Sequence, residues 1–454
     1  MQFRPSDRSF PVIGNSDNSG AAVSSEKSAG ICRRKFLAGL GMTAAALAGS
    51  WGAPAALAQS GRSRMPNENE LNRLGLTLSW WGQASVKSSQ ERVSFFTADE
   101  QNVYVQSKAG IITTFQGESG RRLWSQLVGA PNQYAYAATS GETDVLVGLG
   151  LKVYAFNKVT GVPHWELNLP SPPSASPKEE GRFLYVPTVD GMLRAYDVEK
   201  LGALAKRALL PQWTNRAELW TYQMPAPSIS TPIPVNDQVI FASSRGNIYR
   251  MLGAENKLEF IMEGNAPLSA PITYSRDYVF AADVRSRLLC VNINSGGVLW
   301  SFSSGAPIRK KPSVVGKQLF VVAEREGMSA LDIHTGLRRW EQPIATDLVA
   351  VTDSRVYASD SGNNLLILDR GTGRVQGQVR LGEFNLRVQN DRTDRIYAAS
   401  AGGTVIALRE LASEYPLYHL YPERRPILPD VAPEGDAEAI PADNNAESNA
   451  DAAQ

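Results

Sequence analysis

The chain has 454 residues, with 46 Lys and Arg against 45 Asp and Glu, 43% hydrophobic residues and two cysteines. That length can bury a sizeable core, and the near-neutral balance gives no electrostatic case for nucleic acid, whose binding depends on clustered Lys and Arg. Cys32 falls in a removable leader and Cys290 in an apolar stretch, so no intrachain disulfide is expected.

Residues 1–58 read as that leader. Arg33, Arg34 and Lys35 precede Phe36 and Leu37, an Ala/Gly-rich apolar run reaches Trp51, and Ala56-Leu57-Ala58 supplies a cleavage site. The paired arginines followed by Phe-Leu resemble a twin-arginine export signal. Residues 36–51 are too short and too weakly apolar to span a membrane comfortably. The expectation is an extracytoplasmic, periplasmic protein whose mature chain has no transmembrane segment. A lipoprotein-type anchor is not expected, because Cys32 precedes the apolar run. Residues 59–74 read as a polar linker.

From residue 75 to 412 the chain repeats. In residues 318–340, QLFVVAEREGMSALDIHTGLRRW, two short apolar runs are separated by polar turns and followed by a third run at Trp340. Asp332 can bond backbone N–H groups of its turn, and Gly336 can adopt a positive φ. Trp340 follows Gly336 by four residues, as Trp124 follows Gly120, Trp165 follows Gly161 and Trp300 follows Gly296. Trp81, Trp220 and Phe260 extend the series, and Gly377 stands where the offset from Gly373 falls. The spacing is about forty residues, and the apolar triplets VYV at 103–105 through IYA at 396–398 keep the same count of eight.

A period near forty with about four short strands per unit predicts an all-β fold, an eight-bladed β-propeller of four-stranded antiparallel blades. The predicted blade-docking residues are Trp81, Trp124, Trp165, Trp220, Phe260, Trp300 and Trp340. The blades marked by Phe260 and Gly377 are expected to have weaker outer strands. Residues 76–81 read as an outer strand without partners of their own, and 384–408 supplies three strands without a fourth, so the N-terminal strand should complete the last blade. Closure by residues 414–420 is the alternative.

Blade three exceeds the period by about fifteen residues between Tyr196 and Trp220. Leu201, Leu204, Ala205, Ala208 and Leu209 fall at helical spacing until Pro211, predicting a short amphipathic helix in an insertion at 200–216. That helix either covers its own blade or meets a partner. In blades four to six, Arg245, Arg285 with Arg287, and Arg325 occupy the same hairpin turn. Arg309, Lys310 and Lys311 lie in a connection expected on the same face. Together they form a candidate basic sector for an acidic partner, with Asp283, Glu324 and Glu326 interleaved. Residues 413–454 form a C-terminal extension. From Asp430 it holds seven acids and no base, and it reads as a disordered acidic tail.

Catalytic chemistry is not legible. His164, His334 and His419 have no partners at metal-ligand spacing, and no nucleophile elbow, phosphate loop or catalytic Cys/His pair occurs. The segments VYAFNKVTGVPHW at 153–165 and SALDIHTGLRRW at 329–340 resemble the repeats of pyrroloquinoline-quinone-type (PQQ-like) propellers. The resemblance covers the ring and includes two branches. One is the quinoprotein alcohol dehydrogenases, for which it implies PQQ, calcium and adjacent paired cysteines. The other comprises non-enzymatic propellers similar to BamB of the outer-membrane barrel-assembly machinery. A single mature cysteine and little length beyond eight blades favour the second. What this implies is an exported scaffold, a monomer in isolation, that binds envelope proteins, with no cofactor, metal or catalytic residue of its own. A PQQ- and calcium-dependent oxidoreductase is the alternative.

Overall fold

A computed structural model of the protein describes residues 65–87, 91–130 and 133–420; the leader at 1–58 and the acidic tail from Asp430 lie outside the described residues. The turns are built as their residues dictate. Asp332 Oδ1 accepts from the backbone N–H of His334 at 3.0 Å and Thr335 at 3.2 Å, and Gly336 sits at φ 70°. Asn157 and Asn292 cap the equivalent turns in the same way.

These turns separate eight antiparallel sheets of four strands each, every one a simple meander from strand A to strand D. Seven blades are continuous, at 93–127, 139–168, 178–223, 233–262, 273–303, 313–342 and 347–380. The eighth combines Leu386–Arg387, Ile396–Ala399 and Thr404–Glu410 with the N-terminal strand Leu76–Gln83, whose register runs from Leu76 opposite Glu410 to Gln83 opposite Thr404. The A strands of blades two and three, three and four, and five and six touch one another, which places the A strands around the axis. Strands B and C are almost wholly buried between blades, while strand D alternates towards solvent.

Every C–D pairing carries a β-bulge one residue before the docking position. The extra residue turns the following side chain into the gap between blades. Trp124 illustrates the result. Its indole lies where a Cβ on Gly161 of the next blade would intrude, about 2.5 Å away, and its Nε1 donates to Lys158 O at 3.0 Å. Trp220, Trp300 and Trp340 likewise donate to Gly253, Ile333 and Arg370 carbonyls at 2.8, 3.2 and 2.9 Å.

In blade eight this position belongs to Trp80 and not Trp81. The bulge falls at Ser79, so Trp80 pairs with Ala407, packs over Gly120 and donates Nε1 to Gly117 O at 2.6 Å. Trp81 points the opposite way and is 50% exposed. A turn glycine does precede this strand, Gly75 at φ 77°, but it stands five residues before Trp80, so the four-residue offset of the other blades falls on Ser79. Phe260 packs against Gly296. Gly377 leaves room for Leu74, whose Cδ2 would lie 2.6 Å from an added Cβ.

Two segments depart from the plan. The stretch before the first strand, read as a linker, contains helix α1, Glu68–Arg73, capped by the Asn67 side chain and anchored by fully buried Leu71. The insertion of blade three forms helix α2, Val198–Lys206, capped by Asp197, and a single 3₁₀ turn at Thr214–Arg216. Leu201 and Ala217 are buried against Trp165 of blade two. Val198, which stands where Lys158 does in the preceding blade, is now the first helical residue, and its carbonyl points along the helix. Among the described residues the Trp165 indole N–H is therefore left without an acceptor.

Candidate functional site

Alternating strand direction divides the loops between two faces. B–C turns and blade-to-blade connections share the upper face, where Leu268 bridges Asp283 and Ile308 bridges Ala323 across consecutive blades. A–B and C–D turns, together with both ends of the ring, share the lower face, where Leu411 N donates to Gly75 O at 2.9 Å.

The basic sector lies on the upper face and divides in two. Arg245, Arg285 and Arg325 hold equivalent places in successive B–C turns, are exposed, and form no ion pair among the described residues. The other four are neutralised. Arg287 chelates buried Asp283 through Nε at 2.9 Å and Nη2 at 2.7 Å. Arg309 pairs with Glu324 at 2.7 Å, Lys310 with Asp347, and Lys311 with Asp391 at 2.9 Å. The face as a whole is thus one of mixed charge with three outward guanidinium groups. Beside them stand exposed Val284 and Ile344, at 53% and 51%, in loops that residue patterns read only as turns.

The partner of Lys311 comes from an unexpected place. Residues 388–395 join strands A and B of blade eight and reach across the axis past blade seven. Asn390 N donates to Val349 O at 2.9 Å, and Gln389 Nε2 donates to Lys311 O at 2.8 Å, in the connection before blade six, and to Ser313 Oγ at 2.6 Å, in that blade's first strand. Burial opposes the Asp391 charge, but Lys311 and Arg392 outweigh it and hold the carboxyl below its ordinary range. Lys178 of blade three donates to Ser140 O at 2.6 Å; burial first, then the Arg392 charge, push its pKa down to about 8.

Among the described residues no three His, Cys, Asp or Glu side chains converge on a point that could hold a metal ion. Cys290, the one described cysteine, is buried in blade five with its thiol pushed up to about 12 by burial.

A second buried polar group lies between blades two and three. His164 Nδ1 meets Asp144 Oδ1 at 2.7 Å, and Glu179, 3% exposed, has one oxygen without a partner among the described residues. Burial, then the Asp144 charge, push the Glu179 pKa up to about 8 from its ordinary 4.5. Between those values the folded chain holds a proton that the unfolded chain has released, so stability falls as pH rises through the window. Glu179→Gln should flatten that slope and raise stability at pH 8 by on the order of 2–4 kcal/mol, read from urea midpoints at pH 5 and pH 8. An unaltered slope would contradict the assignment.

The lower face is clasped at the ring closure by Arg395, the largest fully buried side chain. Its Nη2 donates to Glu118 Oε2 of blade one at 2.9 Å and to Glu414 O at 2.7 Å, and its Nη1 to Ser413 O at 3.2 Å. Asp394 accepts from Ser413 Oγ at 2.8 Å and Leu417 N at 3.0 Å. Residues 413–420 therefore do not close the sheet; they brace it from below.

Comparison with known proteins agrees with this architecture. The family profile described as "Outer membrane protein assembly factor BamB" matches residues 78–251 and 255–414. The outer membrane protein assembly factor BamB of Moranella endobia (strain PCIT) is 22% identical over 337 residues, covering 69% of this chain and 84% of that protein. Among solved structures, BamB from Moraxella catarrhalis superposes with a TM-score of 0.58 at 17% identity, covering 74% of this chain and 97% of its own. The computationally designed Ika8 protein superposes with a TM-score of 0.57 at 14% identity, covering 72% of this chain and 99% of its own, a likeness of fold alone. With the profile spanning nearly the whole ring, the chain belongs to the family of the outer membrane protein assembly factor BamB.

Proposed function

We propose that the protein is an exported, periplasmic scaffold associated with the outer membrane, which binds envelope proteins through the upper face of its ring and catalyses no reaction. The family match along the ring is the observation that carries this reading. The upper face supports it in physical terms. Three unpaired guanidinium groups repeated at one turn position, with Val284 and Ile344 beside them, offer an acidic partner charge-assisted contacts around apolar anchors.

The test is capture from the native envelope. With Arg245, Arg285 and Arg325 all replaced by Glu, recovery of outer-membrane assembly components should fall about tenfold or more, because like charges are then set against an acidic surface. Unchanged capture would remove the upper face from the reading. Stoichiometric quinone with calcium in the native protein would replace the scaffold with an oxidoreductase.

A further inference from the structure

The insertion of blade three has a composition that covering its own blade does not require. From Val198 to Arg216 it holds four bases, Lys200, Lys206, Arg207 and Arg216, against one acid, Glu199 in the first turn of the helix, in a body that is otherwise nearly balanced. Only part of it is used inward. Leu201 is buried and Leu204, Ala205 and Leu210 pack against the same core, while Lys200 lies 3.9 Å from Asp197. Lys206, Arg207, Gln212, Trp213 and Arg216 are exposed. Lys206 and Arg207 form no ion pair among the described residues. Trp213 is 40% exposed, and the Arg216 guanidinium stacks 4.2 Å above its ring.

Its setting is similar. The neighbouring C–D turn of blade two presents Val159 and Val162 at 67% and 55% exposure, and that of blade six presents Leu337 at 69%. These apolar tips lie in C–D turns, on the same face as the insertion. An amphipathic tryptophan flanked by cations is the chemistry that seats a loop at a lipid headgroup layer, and charge complementarity selects an anionic one.

We infer that the blade-three insertion is a peripheral anchor that docks the lower face of the ring on an anionic membrane surface. The inference rests on the envelope location proposed above and leaves the upper face free for protein partners.

The chain from Gln59 onward, which holds the complete closed ring, is mixed with vesicles of phosphatidylglycerol and phosphatidylethanolamine, or of neutral phosphatidylcholine, and sedimented. It should partition to the anionic vesicles only, and less at high salt. Lys206→Glu, Arg207→Glu and Arg216→Glu together should weaken partition about a hundredfold, from roughly a fivefold contribution per cation. Trp213→Ala should weaken it about tenfold. All four residues are exposed, so heat-unfolding midpoints should stay level. The upper-face triple Arg245→Glu, Arg285→Glu and Arg325→Glu should keep partition near that of the original chain. Failure to sediment, equal binding of neutral vesicles, undiminished binding by the insertion variants, or equal loss in the upper-face variant would overturn the inference. Cell fractionation separately tests the location: a protein absent from the envelope that still binds vesicles would sink the location and leave the anchor standing.

Discussion

Trp80→Ala should cost about 3–5 kcal/mol, whereas Trp81→Ala, one residue away, should stay within about 1 kcal/mol. Trp80 fills the seam between blades eight and one. It stacks with Phe115 at 6.0 Å and lies 6.3 Å from Tyr397, and its indole N–H is bonded to Gly117 O. Truncation leaves a cavity on the one joint whose strands come from opposite ends of the chain, and it orphans a buried acceptor. Trp81 presents half its surface to water, so its removal opens no cavity. Urea midpoints of the two variants decide the matter. Comparable losses would mean that the bulge at Ser79 does not set the orientation.

The second large effect belongs to Arg395. Its replacement by Ala takes the guanidinium away from buried Asp394 and half-exposed Glu118, leaves the Ser413 carbonyl with only the 3.4 Å bond from Arg409 Nη1 and takes away the Arg395 donor of the Glu414 carbonyl, and places a hole at the floor of the closure. Loss of one member of a buried charged network costs about 3–5 kcal/mol. Arg395→Lys should recover only part of it, since an ammonium cannot reproduce the planar fork that reaches blade one and the C-terminal segment together. The local signature is amide exchange. Leu417 N, held by Asp394, and His419 N, held by Arg392 O at 2.9 Å, should lose protection well before the blades unfold. Retained protection at both amides would show that the extension is held by something else.

Much of the ring was readable because its repeat combines local signals that agree. Asp332 makes a turn, Gly336 lets it close, and Trp340 four residues on seals the next blade; each is a neighbour in the chain, so the pattern survives in one dimension. What failed to read was long-range or depended on orientation. Trp80 and Trp81 are indistinguishable by residue type, and only the bulge at Ser79 separates them. The register of Arg245, Arg285 and Arg325 was legible, yet the neutralisation of Lys310 and Lys311 was not, because Asp347 and Asp391 arrive from other blades. Residues 388–395, VQNDRTDR, look like an overlong polar turn, and nothing local says that they cross the axis. Helix α1 did leave a trace in Asn67, Glu68 and Glu70 ahead of Leu71 and Leu74, a start signal in a stretch that its polarity marked as a linker.

Pairing of Leu76–Gln83 with Thr404–Glu410 has a consequence for synthesis. While the ribosome is still making blade seven, the earliest strand hangs without a mate, its backbone donors and acceptors open to any passing strand. A nascent chain is therefore most prone to stick to its neighbours just before completion, and a holding chaperone that recognises the waiting segment around Trp80 would protect it until the final strand emerges.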